Sequence, residues 1–220
     1  MTLPPEYFAR AWADDDDPWR IADRWYERRK RDLLLAVLPR ERFARGLELG
    51  CAAGHLTERL AGRCEQLLAC DVDARAVDLT RARLARAGSS GSEEPGGGEP
   101  GGGAPGRGGS VTVEQRRLPE QWPEGRFDLV VVSEVGYYLG EDDLGRLAER
   151  AAAGLGPDGV LVACHWRHPA PGYPGTAEGV HTRLGAAGLD VLAHHEEPDL
   201  LLDVWTAGEP SVARAEGWLG

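Results

Sequence analysis

Residues 48–54 read Glu48-Leu49-Gly50-Cys51-Ala52-Ala53-Gly54, closing an apolar run (GLELG, 46–50) with the composition of a buried strand. The two glycines permit a tight turn and let a ligand approach the backbone closely. Their spacing, E-x-G-x-x-x-G, is not the G-x-G-x-x-G that cradles a pyrophosphate. The turn suits a ligand with an amino-acid tail better than a dinucleotide.

Outward from the turn, a helix is expected from about residue 54, a strand over 66–70 and an Ala/Arg/Leu helix over 74–86. Asp71 ends that second strand, 23 residues after Glu48, where a carboxylate can accept hydrogen bonds from both hydroxyls of a ribose. Turn and acid together point to an adenosyl-bearing cofactor. The alternative is that Asp71 merely caps the helix after it, although Asp73 is better placed for that. Strands follow at 111–115 and 127–133 (FDLVVVS), the latter apolar enough for a central strand covered on both faces. A helix over 141–153, a break at 154–159, a strand over 160–164 and a hairpin of 189–194 with 200–205 complete an α/β chain with a mostly parallel sheet. Ahead of the sheet, Asp17-Pro18 reads as a helix start, its helix presenting Leu33, Leu34, Val37 and Leu38 and ending at Pro39.

The 220 residues suit one domain, with residues 1–40 as an N-terminal lid region. Residues 88–110 contain no apolar side chain larger than Ala or Pro, so a disordered Gly/Pro-rich insertion within that domain is expected. A net charge of -11, with Lys30 the sole lysine, disfavours nucleic acid. No run resembles a signal peptide or a membrane span, so no membrane partner and a cytoplasmic location are expected. Cys51, Cys64, Cys70 and Cys164 lack metal-ligand spacing, and the expectation is four reduced core thiols and no metal.

These features, with Asp17-Pro18-Trp19, Trp25-Tyr26-Glu27, LELGCAAGHLT at 47–57, Cys70-Asp71-Val72, FDLVVVSEVGYYL at 127–139 and His165-Trp166-Arg167-His168-Pro169, resemble the class I S-adenosylmethionine (SAM)-dependent methyltransferases of the nodulation protein S type. The resemblance implies a Rossmann-like seven-stranded sheet with a reversed terminal strand. It implies that Gly50 and Gly54 face the methionine part of SAM, Asp71 the ribose and Leu118 the adenine, with Glu48, Ala52, Val72 and Ser133 completing that set. Two positions depart from the usual pattern: Arg117 stands where many relatives have an acid, and Ala52 replaces a frequent Gly.

The expected reaction is methyl transfer to N or O of a small polar metabolite, an aminosugar, sugar or natural-product amine. An in-line displacement needs alignment and a group to take a proton. Glu134 and His165, at the ends of adjacent strands, are the catalytic candidates. For Glu134 the alternative is a carboxylate bonded to backbone, and for His165 a core imidazole. Trp19, Tyr138, Trp166, Arg167 and His168 are candidates for the acceptor pocket, and Tyr26 with Lys30, four apart on one helix face, for the SAM carboxylate. The rival reading of Lys30 is a solvated basic face, since it sits in a run with Arg28, Arg29 and Arg31. A second reading of the whole chain is a SAM-binding scaffold without catalysis.

Overall fold

A computed structural model describes residues 1–90, 109–168, 170–208 and 211–219. Most of the expected insertion, residues 91–108, lies outside the described residues, as does Pro169 of the quoted motif. Seven strands, β1 (Phe43–Leu49), β2 (Cys64–Asp71), β3 (Ser110–Gln115), β4 (Phe127–Ser133), β5 (Leu155–Trp166), β6 (Asp190–Glu196) and β7 (Leu200–Thr206), form one sheet in the order β3-β2-β1-β4-β5-β7-β6. All neighbours are parallel except β7, which runs antiparallel to both β5 and β6. The α/β class, the mostly parallel sheet and the reversed strand agree with the sequence reading.

β4 is apolar on both faces because it is covered on both. Val130 and Val132 join Leu147 and Leu184 of helices α5 (Glu141–Ala153) and α6 (Ala177–Gly185). Leu129 and Val131 join Leu34 of α2 (Trp25–Ala36) and Leu60 of α3 (His55–Leu60). Every one of these side chains is at most 1% exposed, so the period of two in the strand assigns alternate residues to alternate layers. Strand order reverses between β1 and β4, and the crevice for a ligand opens at the carboxyl ends of those two strands.

The N-terminal region departs from expectation. The Asp17 carboxylate does not cap a helix: it accepts from the amides of Ile21 (2.8 Å) and Ala22 (3.0 Å) across a wide turn, where Arg20 adopts φ +57°. The helix starts eight residues later, at Trp25, and an unanticipated α1 (Pro5–Trp12) precedes it. α6 was also unanticipated, whereas α4 (Ala74–Ser90) runs past the expected end at 86. α7 (Val212–Ala215) is a single turn near the chain end. The four cysteines are free and buried, and among the described residues no helix is long and apolar enough to cross a membrane.

Candidate active site

A cavity of about 390 Å³ opens at the switch point between β1 and β4. The turn after β1 folds back at once: Gly50 and Cys51 both donate to the Cys70 carbonyl (2.8 and 3.0 Å), tying it to the end of β2. Gly50 has φ +73°, and a Cβ there would stand 2.2 Å from Val135 of the loop after β4. Ala52 also holds a positive φ (+48°), so the Ala that replaces a frequent Gly is accommodated in the left-handed region at a cost of about 1 kcal/mol. Gly54, at φ +78°, packs against Thr80 of α4 and does not line the cavity. Its glycine serves helix approach.

Asp71 stands at the mouth of this turn. One carboxylate oxygen accepts from the Ala52 amide (3.0 Å) and the other from Asp73 (3.0 Å). Burial lifts its pKa to about 6, against the pull of these backbone amides. The capping duty belongs to Asp73, which accepts from Arg75 (2.8 Å), leaving Asp71 to the cavity. Glu48, 2% exposed, also lines the cavity, and burial pushes its pKa up to about 8, the nearby Thr57 hydroxyl offsetting part of the rise. Its Oε2 and the neighbouring Thr57 hydroxyl are each buried and in hydrogen-bonding geometry with no group among the described residues. A buried carboxylate oxygen without a donor is costly unless a ligand supplies one.

At the same end lies Arg31, which the sequence reading passed over as part of a basic run. It lines the cavity, is 9% exposed, donates to the Ile21 carbonyl (2.8 Å) and forms no ion pair among the described residues. Burial draws its pKa down, Glu27 opposing and Arg59 and Arg83 adding to the fall. His55 beside it is lowered to about 4 by burial and by Arg83 and Arg31. This positive corner would welcome an anion.

Lys30 is not on a solvated face, being 5% exposed and lining the cavity. Nor is its charge free: it pairs with Glu27 (2.8 Å) and Glu134 (3.0 Å). Burial works against that charge, yet Glu134 and Glu27 together hold it above its usual range. Tyr26 lines the same wall, meeting Trp166 edge to face (5.0 Å) and donating to the Asp199 carbonyl (3.1 Å).

Glu134, just past β4, sits at φ +58°, a conformation uncommon for a non-glycine residue and held there by its bonds. Lys30 and the Trp166 amide (2.9 Å) donate to Oε1, and the Tyr137 hydroxyl donates to Oε2. Trp19, Val72, Leu118, Ser133, Tyr138 and Trp166 line the cavity as well.

Besides Gly54, three expected residues do not. His165 is fully buried; odd positions of β5 face α5 and α6, so its ring lies in that core, with Nε2 accepting from the Gly136 amide (3.2 Å) and Nδ1 facing His181 (3.0 Å). It cannot touch an acceptor. Arg167 is drawn outward by Glu178 (2.9 Å) and Glu196 (2.8 Å), and the exposed His168 by Asp199 (2.5 Å).

Residues 8–91 match the family described as nodulation protein S (NodS). Nodulation protein S of Rhizobium tropici is 36% identical over 67% of this chain and 54% of its own length, and that of Bradyrhizobium diazoefficiens 32% over 67% and 61%. The chain thus spans little more than half the length of the curated relatives it matches. Among solved structures, a Pseudomonas syringae protein described as a methyltransferase is 44% identical (TM-score 0.65, 83% of this chain and 99% of that one). The N-methyltransferase NodS of Bradyrhizobium japonicum WM9, in complex with S-adenosyl-L-homocysteine, is 28% identical (TM-score 0.74, 91% and 96%).

Proposed function

Since the chain belongs to the NodS-type class I methyltransferases, we propose that it uses SAM to methylate the nitrogen of a small polar amine. The observation that carries this reading is the Asp71 carboxylate bonded to Ala52 at the mouth of the glycine turn, in one cavity with a Glu48 oxygen that has no donor, and an Arg31 that has no ion pair, among the described residues. These residues fit SAM group by group. Glu48 meets the ammonium of its amino-acid tail and Arg31 the carboxylate, a cation–carboxylate contact being stronger than a neutral one. Asp71 receives the ribose hydroxyls, and Leu118 and Val72 flank the adenine. Lys30, matched by two carboxylates, is assigned to the acceptor side instead of the SAM carboxylate.

SAM, when bound, supplies an electrophilic methyl on a sulfonium. The chain's own part is to present a lone pair. Glu134, fixed by three donors, receives an N–H of the acceptor and so sets the direction of its nitrogen. Such alignment is worth up to about 7–11 kcal/mol of a bimolecular barrier. Lys30 offsets only one of the two negative charges of Glu27 and Glu134, so the cluster keeps a net negative charge that draws an amine to this wall. Tyr26, Trp166 and Tyr138 wall the cavity and limit water.

Calorimetry with SAM, with NAD as control, and a labelled-methyl screen over aminosugars, other amines and matched alcohols test the reading. We expect SAM binding and label on nitrogen. Label on alcohols alone would overturn the nitrogen assignment, binding without transfer would leave the non-catalytic scaffold, and no SAM binding would end the whole reading.

A further inference from the structure

The buried His165, which does not reach the cavity, begins a chain of hydrogen bonds whose direction can be worked out. The Gly136 amide can only donate, so the His165 Nε2 that faces it must carry a lone pair. Burial, with His181 and Lys30 nearby, keeps this ring neutral, its pKa well below the usual value. Its single proton is therefore on Nδ1, donated to His181 Nε2 at 3.0 Å. His181 then has its own N–H on Nδ1, 2.5 Å from Asp203 Oδ2, and the other Asp203 oxygen takes the exposed His194 Nδ1 at 2.6 Å. His165, His181 and Asp203 are all buried, and each polar atom of these three side chains has a partner.

The far end of the chain is a short 3₁₀ turn, Gly136–Tyr138. Gly136 is wedged against α6, where a Cβ would stand 2.5 Å from Val180, and Tyr137 meets the His165 ring edge to face at 5.3 Å. The same turn delivers the Tyr137 hydroxyl to Glu134, whose left-handed backbone lies two residues before Gly136. We infer that His165, His181 and Asp203 are positioning residues: the Asp203 carboxylate fixes the tautomer of both imidazoles, so that His165 always offers an acceptor to Gly136 and locks the turn that aims Glu134. Without that carboxylate, His181 can carry its proton on Nε2, which sends the His165 proton to its own Nε2, donor against donor at Gly136. Only the kinetic consequence rests on the methyl-transfer reading.

Asp203→Ala and Asp203→Asn separate a lock from a simple packing role. Asn keeps an oxygen for His181 and turns its NH₂ to His194, which is exposed and free to accept. With a methyl acceptor in hand, Asp203→Ala is expected to lower kcat at least tenfold with the SAM Kd within twofold, and Asp203→Asn to recover most of it. Nitrogen-15 NMR of the imidazoles of the unmutated protein reads the tautomer directly, and is expected to show His165 protonated on Nδ1 alone. A proton on His165 Nε2 would overturn the inference even were Asp203→Ala not to fold. So would unchanged kcat in Asp203→Ala, equal loss of SAM binding, or no recovery in Asp203→Asn. Failure of the unmutated protein to bind SAM, with the tautomer as expected, would sink the functional reading and leave the lock standing.

Discussion

Glu48 offers the sharpest test of cofactor placement, because its unusual state in the free protein turns binding into a proton count. With its pKa at about 8, it is about 90% protonated at pH 7. An ammonium docked against Oε2 favours the carboxylate, so SAM binding should expel about 0.9 proton from Glu48 and about 0.1 more from Asp71, whose pKa is about 6. The α-amine of the ligand, mostly an ammonium at pH 7, takes back roughly 0.1–0.2. A net release of about 0.8–0.9 proton is expected. It is read as the slope of binding enthalpy against buffer ionisation enthalpy, and Glu48→Gln should reduce it to near zero while weakening SAM about 10- to 100-fold, the worth of a hydrogen bond to a charged group. Linkage gives a second reading. A folded pKa raised above the ordinary 4.5 means that the ligand-free fold binds more protons than the unfolded chain between about pH 4.5 and 8, so this group's contribution falls as pH rises through that window. Saturating SAM should flatten that slope. No proton release at pH 7 with SAM bound normally, or an unchanged count in Glu48→Gln, would refute the placement.

Arg31→Gln should weaken SAM about 10- to 100-fold but leave 5′-methylthioadenosine, which has no amino-acid tail, within twofold; equal losses for both ligands in titration calorimetry would reject the assignment. Lys30→Met leaves Glu27 and Glu134 without their shared cation, so kcat should fall at least tenfold with little change in the SAM Kd. The reverse pattern in steady-state kinetics would restore Lys30 to the SAM carboxylate. Gly50→Ala puts a methyl 2.2 Å from Val135 at φ +73° and should cost about 1–2 kcal/mol, a fall in Tm of roughly 2–8 °C by calorimetry. An unchanged Tm would show that the turn is not held as described.

What the sequence discloses and what it withholds divide along a physical line. Local period and turn chemistry are enough for β1, β2, β4 and α5, because each carries its own signal: an unbroken apolar run, or a 3.6-residue stripe such as Leu144, Leu147, Ala148 and Ala151. α1 and α6 are short and their signals slight: Pro5 at the first position with Phe8 and Trp12 four apart, and Thr176 as the cap of a helix whose Val180 and Leu184 lie four apart. Arg31 hid in a run of four basic residues, and only the packing of α2 over the sheet buries Lys30 and Arg31 while leaving Arg29 to Glu197.

The two catalytic candidates show the line most clearly. Glu134 and His165 both sit at the carboxyl end of a strand in the sequence, and nothing in their neighbours tells them apart. In space β4 stops at Ser133, so the next side chain leaves the ladder and turns into the cavity, its backbone bent to a positive φ. β5 continues to Trp166, paired with β7 as far as Leu200, so His165 is still inside the sheet and its parity sends it to the α6 face. One residue of strand length thus separates a group that can meet an acceptor from one that can act only through the turn beside it, and that residue is granted by the antiparallel neighbour, not by anything within β5 itself.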